Sequence, residues 1–490
     1  MEAFEAVIGL EVHVQLATRA KVFARVAQGF GAPPNTLTDP VVMGLPGALP
    51  VINGEAVRQA VRAGLVFKST IPEVCLWDRK NYFYPDSPKN YQITQYASPV
   101  CVGGEVEIEL PGPSRNAMGE HRVVRLTRAH LEEDVGKLTH GAGDSLVDYN
   151  RAGTPLLEIV SEPDLRSAEE ALAFLQALRM LLTAAGVSTC DMEKGQMRCD
   201  ANVSVRPRGS DVLNPRAEMK NLNSITGVRN AIDYEIRRQS KVYARGGTVV
   251  QETRRWDAAA GRTTSMRGKE EAHDYRYFPD PDLLPVRFPR DELARLEADL
   301  PERVFDKQRR YQETLGLPYT VTSVLCFDHE LAAFFEAALE AYPANAKGIA
   351  NYVANEFQRE RAAAAGEGLL PMAGVKMRPA HVAELVRLVD EGVVTKQNAK
   401  TVFVECFAGG RAPSELVEAL GLKHEPADTG ELEAACREVM AANPVPAAQF
   451  REGNAKAINA YMGPLMKATK GKADPRAAME ILARLASEAE

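Results

Sequence analysis

The first 290 residues contain short segments in which apolar and polar residues alternate, separated by Pro and Gly. Two of them are AVIGLEVHVQL (residues 6–16) and RCDANVSVRP (198–207). Because successive side chains of a strand point to opposite faces, this alternation predicts β-strands with one buried and one polar face. A helix is predicted at SAEEALAFLQALRMLLTAAG, where Ser167 is suited to cap the N-terminus, Glu170 follows three residues later and Gly186 ends the segment. This part of the chain is therefore predicted to mix strands and helices.

From residue 291 onward the alternation fades and apolar residues recur at helical spacing. The segment ELAAFFEAALEAY (330–342) has this period, which predicts an amphipathic helix. A stretch rich in Gly and Pro at 405–425 then separates a smaller C-terminal part. We therefore predict an α+β fold in three parts: a β-rich domain at 1–292, a helical domain at 293–408 and a small helical tail at 409–490.

The composition agrees with a folded protein of several domains. The chain has 490 residues, 45% of them hydrophobic and 26% charged, and at roughly 150 residues per domain this length corresponds to about three domains. The net charge is −7. A nucleic-acid partner would therefore have to be bound by a local basic surface, because the chain as a whole repels it.

Neither export nor membrane insertion is indicated. The first residues, MEAFEAVIGLEVHV, carry acids where a secretory signal has a basic region. The longest uncharged stretch near the start, PVVMGLPGALPVING, is shorter than the ~20 apolar residues of a spanning helix. The seven cysteines are scattered without a CxxC pair, unlike a disulfide framework or a zinc ribbon. We therefore expect a protein of the reducing cytoplasm.

Acidic residues and a histidine occur on the polar faces of predicted strands. Glu11 and His13 share one face of the first strand, and Asp200 lies among the small polar residues of RCDANVSVRP. Such residues are most often solvated. Several acids and a histidine from different segments of one domain also have the composition of a divalent-metal and phosphate site. The P-loop and the GxGxxG pattern are missing, so a nucleotide would have to be held through carboxylate-bound metal.

Aromatic residues and cations are interleaved in DRKNYFYPDSPKNYQITQY, residues 78–96. Lys80 and Lys89 stand among five Tyr and Phe residues in this segment. Aromatic rings with nearby cations can stack bases and neutralise phosphates. A Pro-rich loop that packs its own rings explains the same pattern equally well, and both interpretations stay open.

Taken together, these segments resemble the GatB family, the B subunits of bacterial aspartyl/glutamyl-tRNA amidotransferases. The resemblance is collinear and spans nearly the whole chain. It rests on the segments IGLEVHVQL, GLPGALPV, DRKNYFYPDSPKNYQIT, HLEEDVGK, VDYNRAGTPLLEIVSEPD, RCDANVSVRP, EMKNLNS, QETRRWD, DYRYFPDPDLLP and GPLMKATKGKADP.

The resemblance implies one member of a heterotrimer that amidates glutamate on tRNA(Gln) or aspartate on tRNA(Asn). The A subunit would release ammonia from glutamine, and the C subunit would clamp the pair. This chain would use ATP and Mg²⁺ to activate the carboxylate in a cradle domain that resembles glutamine synthetase. A helical domain and a YqeY-like tail that contacts tRNA would follow.

The resemblance also implies roles for particular residues. Those implied for metal binding and phosphoryl transfer are Glu11, His13, Glu133, Asp200 and Glu218. Lys80 and Lys89 are implied for the ammonia path, where partial desolvation is expected to shift a lysine toward its neutral form. The tail residues implied for tRNA contact are Lys467, Lys470 and Lys472.

One departure from the family pattern concerns zinc. Members with a cysteine-ligated zinc carry two Cys pairs, and the corresponding places here hold Ala24 and Val26, then Asp39 and Val42. We therefore expect no structural zinc.

Two other functions are compatible with the residues alone. One is a ligase that amidates a free amino acid, which would leave the basic tail and the aromatic segment without a purpose. The other is a noncatalytic RNA-binding scaffold, in which the acidic strand faces would bind neither metal nor ATP.

Overall fold

The structure is a computed structural model that describes residues 3–141, 143–268, 274–366, 368–424, 429–469, 473 and 475–488. The chain divides into two compact units, 1–329 and 330–490. The first holds all the described strands and the second is helical, as the α+β prediction requires. The prediction of a three-part division stays open.

The strands lie in the first unit. They are β1 (Phe4–Gln15), β2 (Val74–Cys75), β3 (Asp78–Asn81), β4 (Tyr91–Thr94), β5 (Cys101–Val102), β6 (Glu105–Glu109), β7 (His121–Glu133), β8 (Lys137–His140), β9 (Ser145–Asp148), β10 (Pro155–Ser161), β11 (Met197–Pro207), β12 (Ala217–Leu222), β13 (Glu252–Asp257), β14 (Arg262–Gly268), β15 (Phe278–Pro279) and β16 (Val286–Arg287).

The α-helices occur in both units. They are α1 (Gly54–Val66), α2 (Ala168–Ala184), α3 (Ile225–Ala244), α4 (Arg290–Ala298), α5 (Val304–Leu315), α6 (Tyr319–Cys326), α7 (His329–Ala341), α8 (Ala346–Asn351), α9 (Gln358–Ala365), α10 (Pro379–Asp390), α11 (Lys396–Gly409), α12 (Pro413–Ala419), α13 (Thr429–Ala442), α14 (Val445–Arg451), α15 (Met462–Ala468) and α16 (Pro475–Glu488). The π-helical turn Tyr352–Phe357 joins α8 to α9.

One large sheet organises the first unit. Its strand order is β14-β13-β12-β11-β1-β10-β7-β5, and β6 also pairs with β7. All these pairs are antiparallel except the parallel pair of β12 and β13. β1 is central and buries Leu10, Val12 and Val14, while Glu11 and His13 on the alternate positions stay partly exposed. The alternation in the sequence therefore predicted this strand and its two faces.

Helices α2 and α3 contact each other and the sheet. Ser167 caps α2 as expected, its Oγ accepting a hydrogen bond from the Glu170 amide (3.1 Å). The Glu170 carboxylate accepts from the Arg166 amide (2.7 Å), so both groups satisfy amides at the start of the helix. Gly186, just beyond the helix, has φ +68°, which glycine adopts without strain.

The second unit includes a core formed by its C-terminal helices. Residues between Leu432 and Ala486 pack into one hydrophobic cluster, with Tyr461 buried at 1% exposure. The Tyr461 hydroxyl donates to the Asn443 carbonyl (2.7 Å) and accepts from the Ala447 amide (3.0 Å). This aromatic residue can therefore be buried without leaving its polar atom unsatisfied.

The seven cysteines are all buried and free of disulfides. Burial raises the pKa of Cys75 and Cys190 to about 11 and of Cys406 to about 12. No helix of the described residues is long and apolar enough to span a bilayer.

Candidate functional site

The polar face of the large sheet brings together acids from neighbouring strands. Glu11 on β1 lies opposite Asp200 on β11, and His13 lies opposite Glu158 on β10. Glu158 in turn lies opposite His130 on β7. Four of the five residues implied for metal binding lie on this face of the sheet: Glu11 and His13 on β1, Asp200 on β11 and Glu218 on adjacent β12.

His13, Glu132 and Glu158 form a compact group of potential metal ligands. His13 Nε2 is 3.5 Å from Glu158 Oε2 and 3.6 Å from Glu132 Oε1, and one ligand atom of each residue lies within 4.8 Å of the others. Within the described residues, Glu132 Oε2 and His130 Nδ1 are buried without a hydrogen-bond partner. A buried carboxylate oxygen without a partner is costly, so this donor set fits a divalent cation.

The electrostatics of this group reflect its crowding. Burial, and then the charge of Glu158, raises the pKa of Glu132. Burial acts in the same direction on Glu158, but His130 and His13 outweigh it and hold the Glu158 pKa well below its usual range. Burial alone lowers the pKa of His13, yet the two carboxylates raise it to about 9. The protonated His13 therefore compensates the acids where no cation does so.

A second acidic group lies on β1, β11 and β12. Lys220 Nζ donates to Asp200 Oδ2 (2.7 Å) and is 3.0 Å from Glu218 Oε1. Asn202 Nδ2 donates to Glu11 Oε1 (2.9 Å). Burial, followed by the charges of Glu158, Asp200 and Glu218, raises the pKa of Glu11. Glu11 is thus coupled electrostatically to both acidic groups.

Two cavities open on this face of the sheet. One, of about 310 Å³, is lined by His13, Glu132 and Asp200 together with Lys80, Arg198 and Lys220. The other, of about 670 Å³, is lined by Glu11 and by Gly9, Asn202 and Ser204. The smaller cavity therefore combines potential metal ligands with three cations, which is the charge arrangement that suits a phosphorylated substrate.

Glu133 does not join this face. Because β7 alternates, Glu133 points away from Glu132, and its carboxylate accepts from Lys89 Nζ (2.5 Å) and from the Ile93 amide (2.9 Å). Both oxygens of this carboxylate therefore already accept hydrogen bonds, on the face of β7 opposite to Glu132.

The acids that sequence reasoning did not assign to the site are Glu132 and Glu158. Glu132 follows His130 at the strand period, which was a usable signal. Glu158 is one acid within the apolar segment PLLEIVS, and only the pairing of β10 with β1 shows what it faces. Arg198 was also missed; its Nη2 donates to Asp134 Oδ2 (2.8 Å).

The two lysines of the aromatic segment lie in different surroundings. Lys80 lines the smaller cavity, 4.9 Å from the ring centre of Tyr275. Burial lowers its pKa, but Glu132 and other acidic groups outweigh burial and leave the Lys80 pKa raised. The expected shift of Lys80 toward the neutral amine is therefore wrong, because the buried site is anionic. Lys89 is paired with Glu133 on the other side.

The rings of the aromatic segment pack against a later part of the chain. Tyr96 stacks on Tyr277 with ring centres 4.3 Å apart, and Tyr82 meets Tyr275 edge to face. Tyr96 is nevertheless 52% exposed. Packing against these later rings thus accounts for the aromatic residues of the segment, while the exposed ring of Tyr96 keeps its capacity to stack on a ligand.

The remaining predicted positions are at the surface or outside the described residues. Lys467 lies in the last turn of α15, whereas Lys470 and Lys472 fall outside the described residues. At the place of the family's zinc cysteines, the Val42 amide donates to Asp39 Oδ1 (2.8 Å). The absence of zinc stays a prediction.

Comparison with known proteins gives consistent matches along the whole chain. Residues 6–294 match the family model described as "GatB/GatE catalytic domain", and residues 333–485 match the one described as "GatB domain". Two similar curated proteins are named as B subunits of aspartyl/glutamyl-tRNA(Asn/Gln) amidotransferase. One, from Opitutus terrae, is 56% identical and covers 98% of this chain and 99% of its own. The other, from Geotalea uraniireducens, is 47% identical and covers 98% of both.

Proposed function

Since the chain belongs to the GatB family of amidotransferase B subunits, we propose that its first unit activates the side-chain carboxylate of a misacylated tRNA and exchanges it for an amide. The substrates are Glu-tRNA(Gln), Asp-tRNA(Asn) or both. ATP phosphorylates the carboxylate, and ammonia then displaces the phosphate. The observation that carries this proposal is the compact group of His13, Glu132 and Glu158. Two of its members, His13 and Glu132, line a cavity that is also lined by three cations, Lys80, Arg198 and Lys220.

Chemistry explains why such a site is needed. A free carboxylate is a poor acyl donor because oxide is a poor leaving group, so it is first converted into an acyl phosphate. That step brings an anionic oxygen up to an anionic phosphate, and positioning and charge compensation therefore dominate its barrier. Bound Mg²⁺ supplies part of that positive charge.

The chain's own residues have separate tasks in this proposal. His13, Glu132 and Glu158 would hold one cation. Glu11, Asp200 and Glu218, on neighbouring strands, would offer carboxylate oxygens to a second. Lys80 and Arg198 lend fixed positive charge to the cavity in which phosphate is transferred. Asp134 keeps the Arg198 guanidinium oriented through the 2.8 Å hydrogen bond.

Ammonia must arrive unprotonated and shielded from water. We place Lys89 and Glu133 on its route, because both side chains are almost fully buried, at 11% and 6% exposure. The small cavity that they line also shares Gln92 with the cavity of the proposed phosphate transfer. Lys80 lies at the cavity itself. The partner A and C subunits supply the ammonia and complete the assembly.

The test uses the complex reconstituted with its partner subunits. Glu11→Ala and Asp200→Ala are each expected to lower ATP-dependent amidation of misacylated tRNA by at least 100-fold, while glutamine hydrolysis by the partner largely survives. Near-normal amidation in both variants would contradict the proposal. Amidation of free glutamate or aspartate without tRNA would instead support the ligase alternative.

A further inference from the structure

Lys220 occupies a place between two acids of the site. Its Nζ lies 2.7 Å from Asp200 Oδ2 on β11 and 3.0 Å from Glu218 Oε1 on β12. The other oxygen of Glu218 accepts from Thr253 Oγ1 (2.8 Å). One ammonium thus connects carboxylates from two neighbouring strands.

The charge balance shows why a cation belongs there. Glu11, Asp200 and Glu218 are acids on neighbouring strands whose negative charges repel one another, and the Lys220 ammonium lies between two of them. The three cations lining the cavity differ in their bonding: Arg198 is tied to Asp134, Lys80 has an aromatic neighbour, and Lys220 bonds two of the acids. Lys220 is therefore the compensating charge of this second acidic group.

A divalent cation that took Asp200 Oδ2 and Glu218 Oε1 would have to displace the ammonium from them. The ammonium uses the same oxygens that would ligate an ion such as Mg²⁺ at about 2.1 Å. A lysine side chain has a long flexible stem, and Lys220 also lines the cavity that holds His13 and Arg198. The Lys220 ammonium can therefore move away from Asp200 and Glu218 and still remain in the cavity.

We propose that Lys220 is a positioning residue that holds Asp200 and Glu218 together in the metal-free protein and yields them to a divalent cation. The displaced ammonium then faces the cavity, where it adds positive charge beside the phosphate being transferred. This inference rests on the proposed function. It makes Lys220 a competitor of metal binding and at the same time a contributor to the reaction.

The experiment measures binding of Mn²⁺ alone to the reconstituted complex by electron paramagnetic resonance. Lys220→Met is expected to bind one Mn²⁺ at least tenfold more tightly than the wild type, because no ammonium has to be displaced. Adding Asp200→Asn to Lys220→Met should abolish the increase in Mn²⁺ affinity, which would show that the additional affinity depends on the Asp200 carboxylate. Lys68→Met, which removes a half-exposed lysine paired with Glu105, should leave Mn²⁺ binding unchanged.

The second readout is the rate of ATP-dependent amidation at saturating metal. Lys220→Met should lower kcat at least tenfold although it binds metal more tightly, whereas Lys68→Met keeps the wild-type rate. Tighter binding with lower kcat is a combination that simple loss of structure does not produce. If Lys220→Met fails to assemble, judged by the partner's glutaminase activity, Lys220→Gln replaces it with the same expectations.

Two outcomes would overturn the inference. Mn²⁺ affinity that is equal to or weaker than that of the wild type shows that the ammonium does not compete with metal, and an unchanged kcat shows that it does not act on the phosphate. Both leave the proposed function intact if the wild type binds Mn²⁺ and amidates tRNA. A wild-type complex that does neither contradicts the proposed function itself.

Discussion

Glu132 and Glu133 are adjacent in the chain but have opposite tasks. Strand alternation points Glu132 toward His13 and Glu158, and Glu133 toward Lys89. One acid therefore belongs to the candidate metal site and the other to a buried ion pair. These two roles can be distinguished by making the same substitution, Glu to Gln, at each residue.

We expect Glu132→Gln to lower ATP-dependent amidation by at least 100-fold, because it removes a ligand. Its loss of stability should be smaller than that of Glu133→Gln, because relief of the repulsion from Glu158 offsets the weaker attraction to His13 and Lys80. Glu133→Gln should instead destabilise the protein by about 3–5 kcal/mol, since it leaves the buried Lys89 ammonium unpaired. Amidation assays and urea unfolding of the two variants, compared side by side, check this. Equal effects on both measurements would contradict the assignment.

Lys89 is expected to matter most when glutamine is the nitrogen source. Lys89→Met should reduce glutamine-driven amidation much further than amidation driven by high ammonium salt at matched ionic strength, with tRNA affinity nearly retained. The double variant with Glu133→Gln is the control, because it avoids an uncompensated carboxylate. Equal losses from both nitrogen sources, or a selective loss of tRNA binding, would show that Lys89 has another role.

The sequence predicted part of this site for a clear reason. Because successive side chains of a strand point to opposite faces, Glu11 shares a face with His13, and Asp200 shares a face with Asn202. This holds whichever strands lie beside them. Which of Glu132 and Glu133 faces His13 depends on the register of β7 against β10 and β1. That register is a long-range property, so motif resemblance led to Glu133 and omitted Glu158.

At the level of elements, helix α1 packs closely against the strand end at Cys101. A Cβ added to Gly64 would lie 2.4 Å from Cys101 Sγ and 2.7 Å from Ile71 Cδ1. The glycine is thus required by close approach of the helix, since Gly64 has no unusual backbone angle. By contrast, a Cβ on Gly54 at the start of the same helix meets only Arg58 Nη1, at 3.7 Å.

Gly64→Ala is therefore expected to destabilise the first unit by about 1–3 kcal/mol through overpacking, although alanine favours a helix. Gly54→Ala should be neutral or slightly stabilising. Unfolding in urea followed by circular dichroism measures both. A stabilised Gly64→Ala variant would mean that α1 does not pack this closely.

Local signals were sufficient for some elements. The Ser167 cap and the apolar period placed α2 to within a residue or two, because capping is decided by neighbours in the chain. They could not show that Glu170 also accepts from Arg122, which lies 48 residues away (2.8 Å). Contacts of this kind depend on tertiary packing.

At the scale of the whole molecule, the C-terminal helices carry a prediction about tRNA. The core between Leu432 and Ala486 is formed by residues of that segment, and the His424 amide bonds the Val393 carbonyl (2.7 Å). A stop codon after His424 therefore removes most of the tail, residues 425–490, while it keeps this bond. The three-domain division also predicts that the rest of the chain stays folded.

We expect this truncation to weaken tRNA binding by at least tenfold and to reduce its salt dependence, because Lys467, Lys470 and Lys472 are lost. Binding of Mn²⁺ and hydrolysis of ATP by the complex should remain measurable. Filter binding at several salt concentrations provides the comparison. Unchanged affinity and salt slope would show that the tail does not contact tRNA.

The burial of every cysteine has a consequence for following the protein's unfolding. Five thiols lie in the first unit, and Cys406 and Cys436 lie in the second. The thiolate is the nucleophile that attacks an alkylating reagent, so a buried thiol in the folded chain reacts only when its surroundings open. Pulse alkylation along a urea series, read peptide by peptide in a mass spectrometer, therefore records separate opening free energies for the two units without engineered probes.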